Sequence, residues 1–259
     1  MRYVWNMYFE YQQTAAAGIR HAIPWIMHRM RQWDFTSAAR VDAFVANSDN
    51  VARRIRKFYR RDSTVIHPPV DMAAFAPSSE KEDFYLYVGQ LVAYKRVDLA
   101  IDACNRLGRP LVIIGDGEQR SFLEKRAGPT VRFLGRTSQE ELCQSYSRCR
   151  AVLFPGEEDF GIVPLEASAS GTPVIAFAKG GALETVIDRQ TGVFFQDQTS
   201  ECLIDAMIAF EKVADRFQPS QMVAHAATFS KDRFKRQMQA FVQQQIAASG
   251  SMGTSANRT

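Results

Sequence analysis

Two glutamates with seven residues between them, Glu158 and Glu166, frame the stretch of this chain best suited to chemistry: Glu157-Glu158-Asp159-Phe160-Gly161-Ile162-Val163-Pro164-Leu165-Glu166. A carboxylate accepts two hydrogen bonds side by side, which suits the vicinal hydroxyls of a ribose, and Glu166 is the residue placed for that task. Gly161 permits close backbone approach, so the free amides of a helix starting there face an anion. Pro164 is acceptable in the first turn of such a helix. Glu158, on the loop before it, reaches a second hydroxylated group. A lone glutamate near a helix start ordinarily only complements the helix dipole. The combination of a strand, an acid-Phe-Gly turn and a second glutamate asks for more than that.

Other reactive residue types are less organised. Asp116-Gly117-Glu118 is the nearest approach to a metal-type acidic pair, and the chain has no Asp-x-Asp triplet. His21, His28, His67 and His225 are scattered without partners at ligand or triad spacing, and each is expected to be structural or exposed. Cys104, Cys143, Cys149 and Cys202 lack C-x-x-C spacing, fall in apolar or helical patterns and read as buried free thiols of a reducing cytosol. Tyr3, Trp5, Tyr8, Tyr11, Trp25 and Trp33 read as core or interface residues rather than a sugar platform.

The elements that must position the two glutamates follow a rhythm of short β-rich runs and amphipathic helices. Phe84–Val88, Leu111–Ile114, Val131–Leu134, Ala151–Phe154, Pro173–Phe177 and Val193–Phe195 are apolar runs without polar alternation. Strands of that kind, separated by helices, predict a parallel sheet covered on both faces. Val97, Ala100, Ile101, Cys104 and Leu107 recur at helical spacing before Gly108, a C-cap glycine. Ser138-Gln139-Glu140-Glu141 is a capping box. The fold class is therefore α/β, a doubly wound Rossmann-like sheet, whose ligands bind beyond the carboxyl ends of the strands. Earlier in the chain Val41–Ala46 and Thr64–Ile66 read as two more strands, and Asn47-Ser48-Asp49 as a cap for the basic helix between them. The Gly/Ser/Thr/Asn-rich end, 249–259, reads as a disordered tail.

Glu158 and Glu166, with Phe160-Gly161 between them, match the E-x7-E signature of the retaining, nucleotide-sugar-dependent glycosyltransferases of family 4. Further stretches match in order: Gly89-Gln90-Leu91-Val92-Ala93-Tyr94-Lys95-Arg96, Gly115-Asp116-Gly117, Val131-Arg132-Phe133-Leu134-Gly135, Ala169-Ser170-Gly171-Thr172-Pro173 and Gly180-Gly181-Ala182-Leu183-Glu184. The chain resembles that family over roughly residues 40–243. The resemblance implies a GT-B architecture of two Rossmann-like domains. Residues 76–248 would be the donor-binding domain with a C-terminal crossing helix, and 1–75 the remnant of a truncated acceptor-side domain.

It also implies transfer of a glycosyl group to a hydroxyl acceptor with retention, in envelope polysaccharide or glycolipid synthesis. Glu158 would be the catalytic carboxylate. The donor would be held by Gln90, Lys95, Arg96, Gly115, Asp116, Phe133, Leu134, Gly135, Asp159, Phe160, Gly161, Ile162 and Glu166, with Lys95 at the pyrophosphate. Lysine and helix amides would neutralise the leaving diphosphate without a metal or any other cofactor. The family has arginine where this chain has Gln90, which brings no charge, so either Arg96 compensates or donor affinity is reduced. The Tyr94–Asp98 wording points to GDP-mannose. The alternative is a fragment that binds nucleotide sugar without catalysing.

The chain has 259 residues, 46% of them hydrophobic and 23% charged, the composition of an ordinary globular protein. Its net charge of +4 is uneven, +6 over residues 1–70 and −2 beyond. Arg53, Arg54, Arg56, Lys57, Arg60 and Arg61 concentrate charge on one helix, which suits a lipid-linked or saccharide acceptor met at an anionic membrane. No stacking aromatics beyond Phe58 and Tyr59 and no reading module accompany them, so nucleic acid is not expected. No run spans a bilayer and no secretory signal opens the chain; the expected place is the cytoplasm, peripheral to the membrane.

Overall fold

Val45–Ala46 (β1) and Thr64–Val65 (β2) pair in parallel in the computed structural model, which describes Trp5 and residues 21–255. Both strands are shorter than their apolar runs predict. Helix α1 (Ile23–Ala38) precedes them and α2 (Asp49–Tyr59) connects them. On α2, Ile55 is buried, while Arg53, Arg56 and Lys57 face water. Tyr59 stacks on Phe44 at 5.8 Å and donates to Asp34 at 2.7 Å. Arg61 is spent on the carbonyls of Val41 and Asp42. Trp25 and Trp33 on α1 are 66% and 60% exposed, so of the core or interface places expected for them they do not take the core. Tyr3, Tyr8 and Tyr11 lie outside the described residues.

Two units divide the chain. One holds the described residues up to Ala46 with Val51–Val65, the other Asn47–Asn50 and everything from Ile66.

In the second unit the apolar runs form six strands: β3 (Tyr85–Val88), β4 (Leu111–Ile114), β5 (Val131–Gly135), β6 (Ala151–Phe154), β7 (Val174–Phe177) and β8 (Gly192–Phe195). Every pairing is parallel, in the order β5-β4-β3-β6-β7-β8. Helices α3 (Val97–Leu107), α4 (Arg120–Arg126), α5 (Gln139–Arg148), α6 (Ile162–Ala169), α7 (Ala182–Thr185) and α8 (Ser200–Glu211) occupy the connections, followed by α9 (Pro219–Ala227) and α10 (Lys231–Ser255). A parallel sheet needs both faces covered, and two apolar clusters cover it. Tyr85, Leu111, Leu153 and Ile175 join α3 and α8 on one side; Leu86, Val152, Val174 and Leu165 join α5, α6 and α9 on the other. This is the Rossmann-like domain of the GT-B fold.

Local signals act as the residue types require. Gly108 closes α3 at φ 62°, and Ser138 and Glu141 exchange both capping bonds at the start of α5. Cys104 and Cys149 are buried, each thiol pushed up to about 12 by desolvation, but Cys143 and Cys202 are partly exposed. Helix α10 runs to Ser255, past the point where a disordered tail was expected, and residues 256–259 lie outside the described ones.

Candidate active site

The chain leaves β3 outward through β4 and β5, then returns to place β6 on the other side of β3. A crevice forms beyond the carboxyl ends where the strand order reverses in this way. The turns after β3, β4 and β5 are laced by backbone bonds: Gly89 donates to Ile114 at 3.0 Å, Leu91 to Asp116 at 3.0 Å, and Gly115 to Gly135 at 2.8 Å. A side chain at position 115 would place Cβ 1.9 Å from the Gly89 carbonyl oxygen, at φ 139°, so only glycine lets the two turns meet. They enclose an open cavity of about 750 Å³ lined by Gly89, Gln90, Gly115, Asp116, Arg136 and Leu142.

Across the reversal lies the acid loop after β6. Lys95 Nζ sits 3.0 Å from Glu158 Oε1, with both side chains four-fifths or more buried. This pair ties the turn after β3 to the turn after β6. The loop's backbone is clamped from behind: Gly181 donates to the Glu158 carbonyl at 2.9 Å, and Ser48 Oγ to that of Asp159 at 2.5 Å. A Cβ on Gly181 would come within 2.4 Å of three Phe160 backbone atoms, which explains the glycine. Phe160 is buried against His67, ring centroids 5.4 Å apart. Gly161 turns at φ 83° into α6 with Ile162 exposed beside it. Glu166, in the second turn of α6, accepts the Tyr146 hydroxyl at 2.7 Å on Oε2; burial pushes its carboxyl above the ordinary range, and the tyrosine bond opposes that.

Gln90, Gly115 and Asp116 thus share the cavity, and Lys95, from the turn after β3, meets Glu158 on the acid loop that also carries Asp159. Arg96 is engaged within the protein. It adopts φ 52°, and its guanidinium is held by Asp98 at 3.0–3.3 Å and by the Gln198 carbonyl. Phe133 packs into the core and Leu134 points to a different groove, because alternation on an edge strand sends neighbours to opposite faces. The residues after the strand, Arg136 and Thr137, line the cavity instead. Their position just past Gly135 was the available signal.

His67 is held in a structural cluster. Its Nε2 is 3.0 Å from Glu184 Oε2 and its Nδ1 3.4 Å from Arg233 Nη2, and its ring also meets Phe229. His225 bonds the Thr185 carbonyl; His21 and His28 are exposed as expected. Glu184 accepts the amides of Asp49 and Asn50 at 2.8 and 3.1 Å, so it caps α2 while Ser48 serves Asp159. Asp49, His67 and Glu184 bring donor atoms within 4.8 Å of one another. Two amides and the imidazole already engage the Glu184 carboxylate, and Arg233 stands on the far side of the ring, an arrangement of a cap rather than a cation site.

A glycine-laced, strand-end crevice facing a helix-start acid loop sits on a Rossmann-like domain of the GT-B kind. Residues 72–226 match the family model described as Glycosyl transferases group 1, and the chain belongs to that family. It is 28% identical over 220 residues to D-inositol 3-phosphate glycosyltransferase of Mycobacterium avium (strain 104), covering 74% of this chain and 52% of the relative. Identity is 30% to the same enzyme of Mycolicibacterium paratuberculosis (strain ATCC BAA-968 / K-10), over 74% of this chain and 50% of the relative. The chain therefore spans about half the length of these curated relatives.

Among solved structures, sucrose-phosphate synthase from Thermosynechococcus elongatus superposes with a TM-score of 0.76 at 23% identity, covering 85% of this chain and 62% of that one. Anabaena HepE in complex with UDP-glucose superposes with a TM-score of 0.74 at 20% identity, covering 83% and 67%. At these identities the likeness is one of fold. Among the described residues no helix is long and apolar enough to cross a membrane.

Proposed function

We propose that this chain binds a nucleoside-diphosphate sugar and supplies the donor half of a retaining glycosyl transfer to a hydroxyl acceptor, as in family 4. The observation that carries this reading is the Lys95–Glu158 pair at the strand-order reversal. It sets a mobile ammonium and a carboxylate side by side between a glycine-lined cavity and a helix start. In this reading the base lies in the cavity by Asp116 and Arg136, and Gln90 faces the phosphates. The ribose meets Glu166, and the pyrophosphate lies at Lys95 and the first amides of α6. Glu158 faces the sugar. No metal is needed where a lysine and helix amides neutralise the leaving diphosphate.

The complex of HepE, a relative in fold, with UDP-glucose supports a nucleotide-sugar donor as the class. GDP-mannose remains the proposed member of that class, and the acceptor a saccharide or lipid-linked hydroxyl in envelope synthesis. Exposed Arg53, Arg56, Lys57 and Arg60 support contact with an anionic membrane.

A thermal-shift series with UDP-, GDP- and ADP-sugars tests the reading, because a ligand of the native state raises stability by mass action. One nucleotide sugar is expected to raise Tm; no shift with any of them, at millimolar concentration, sinks the proposal. Donor binding without turnover would leave the chain as a binding module. Sedimentation with phosphatidylglycerol but not phosphatidylcholine vesicles is the corresponding expectation for the membrane.

A further inference from the structure

Tyr146 is fully buried on α5, one helical turn beyond Leu142, which lines the cavity. Its ring is fixed edge-on against Phe75, centroids 5.7 Å apart at 82°. Its own carbonyl accepts the Thr172 hydroxyl at 2.6 Å, and Thr172 in turn is held by Lys81 Nζ at 2.8 Å. The phenol hydroxyl is thus delivered to one place with little freedom, and at that place it donates to Glu166 Oε2. Among the described residues no other group bonds the Glu166 side chain, so Oε1 keeps its acceptor capacity.

We propose that Tyr146 is a positioning residue: its hydroxyl pins one oxygen of Glu166 so that the carboxylate stands ready for the donor's ribose hydroxyls. The proposal rests on the reading of Glu166 as the ribose ligand. A glutamate on a helix has three rotatable side-chain bonds, and ordering them at the moment of binding weakens affinity. With Oε2 held, the plane of the carboxylate is set before the nucleotide arrives. Burial and the adjacent Glu166 charge push the Tyr146 phenol well above its ordinary range, so it stays a donor at any working pH. A purely structural tyrosine would need only some acceptor for its hydroxyl. A positioning one must change how the site tells ribose from a sugar without hydroxyls.

The test compares UDP and GDP with their 2′,3′-dideoxy counterparts by calorimetry, on the 259-residue chain, Tyr146→Phe and Glu166→Ala. The parent is expected to prefer the ribonucleotide by about tenfold or more, the worth of hydrogen bonds to a charged group. Tyr146→Phe is expected to cut that preference about three- to tenfold, the scale of one side chain left to be ordered, with dideoxy affinity unchanged. Glu166→Ala should abolish it. A parent that binds neither nucleotide, or shows no preference, removes Glu166 from the ribose and the proposal with it. A preference that survives Glu166→Ala does the same. A preference lost with Glu166→Ala but intact in Tyr146→Phe overturns the role of Tyr146 alone, as does equal weakening of both ligands. Should Tyr146→Phe not fold, 4-fluorophenylalanine at position 146 fills the para position without a donor; there an unchanged preference is the overturning result.

Discussion

The two walls of the crevice are built by different means. On the side of β3, β4 and β5 the wall is backbone: glycines let turns touch, and amides and carbonyls of neighbouring turns bond one another. On the side of β6 and α6 it is side chains: Lys95 on Glu158, Tyr146 on Glu166, His67 on Phe160. A backbone wall has few ways to change without unfolding. A wall of charged side chains tolerates substitution but holds its charges out of water, and so couples binding to stability and pH. The contrast predicts that substitutions on the first wall act on the fold, and those on the second on the ligand.

Gly115→Ala should have the largest effect and break the first wall. The new methyl group would overlap the Gly89 carbonyl at a backbone angle unsuited to alanine. Strain of that kind and overpacking each cost a few kcal/mol, so a loss of about 3–5 kcal/mol is expected in urea unfolding. Stability within about 0.5 kcal/mol of the parent would mean the turns are not in contact, since only substitutions away from such features are that mild.

Lys95→Ala sharpens the comparison from the other side. The fold should survive it. Nucleoside diphosphate should bind about 2 kcal/mol more weakly, the range of a charge-assisted hydrogen bond, while the nucleoside is nearly unaffected. Gln90→Arg should recover part of that affinity, because Arg96 is committed to Asp98 and Gln90 contributes no charge. Titration calorimetry with both ligands decides; equal losses for nucleoside and diphosphate would take Lys95 away from the phosphates.

The first wall was largely legible in the sequence, because its devices are local. Apolar runs without alternation set the parallel strands, Gly115-Asp116-Gly117 marked a strand-end turn, and the Ser138 box started α5 where its spacing required. The second wall was legible in its members but not in its pairings. Nothing near Glu184 in the chain reports that it caps a helix beginning at Asp49, nor that His67 stacks on Phe160. Such contacts are properties of the folded sheet, made by residues that the chain order keeps far apart. Phe133 shows the limit of a motif read without its strand. Alternation turns its ring toward the core, and Arg136 and Thr137 beyond Gly135 line the cavity.

Glu166 offers the smallest effect and the finest separation of the two walls. Its carboxyl is pushed up by desolvation, with the Tyr146 hydroxyl pulling the other way. In the unfolded chain a glutamate titrates near about 4.3. The native state therefore keeps a proton that the unfolded state has lost over the interval between that value and the raised one. Across this interval stability falls as pH rises, and the full deficit is present above the raised value. Glu166→Gln keeps the shape and an oxygen for Tyr146 but has nothing to ionise. It should be more stable than the parent at pH 7, on the order of 1 kcal/mol as for other functional residues that oppose stability, and lose that advantage as pH falls below the ordinary carboxylate range. Its ribonucleotide affinity should drop at the same time. Urea unfolding at both pH values measures the first and calorimetry the second. A Gln variant no more stable than the parent at pH 7 would mean that the carboxylate is well solvated, and that the second wall holds no buried charge at this point.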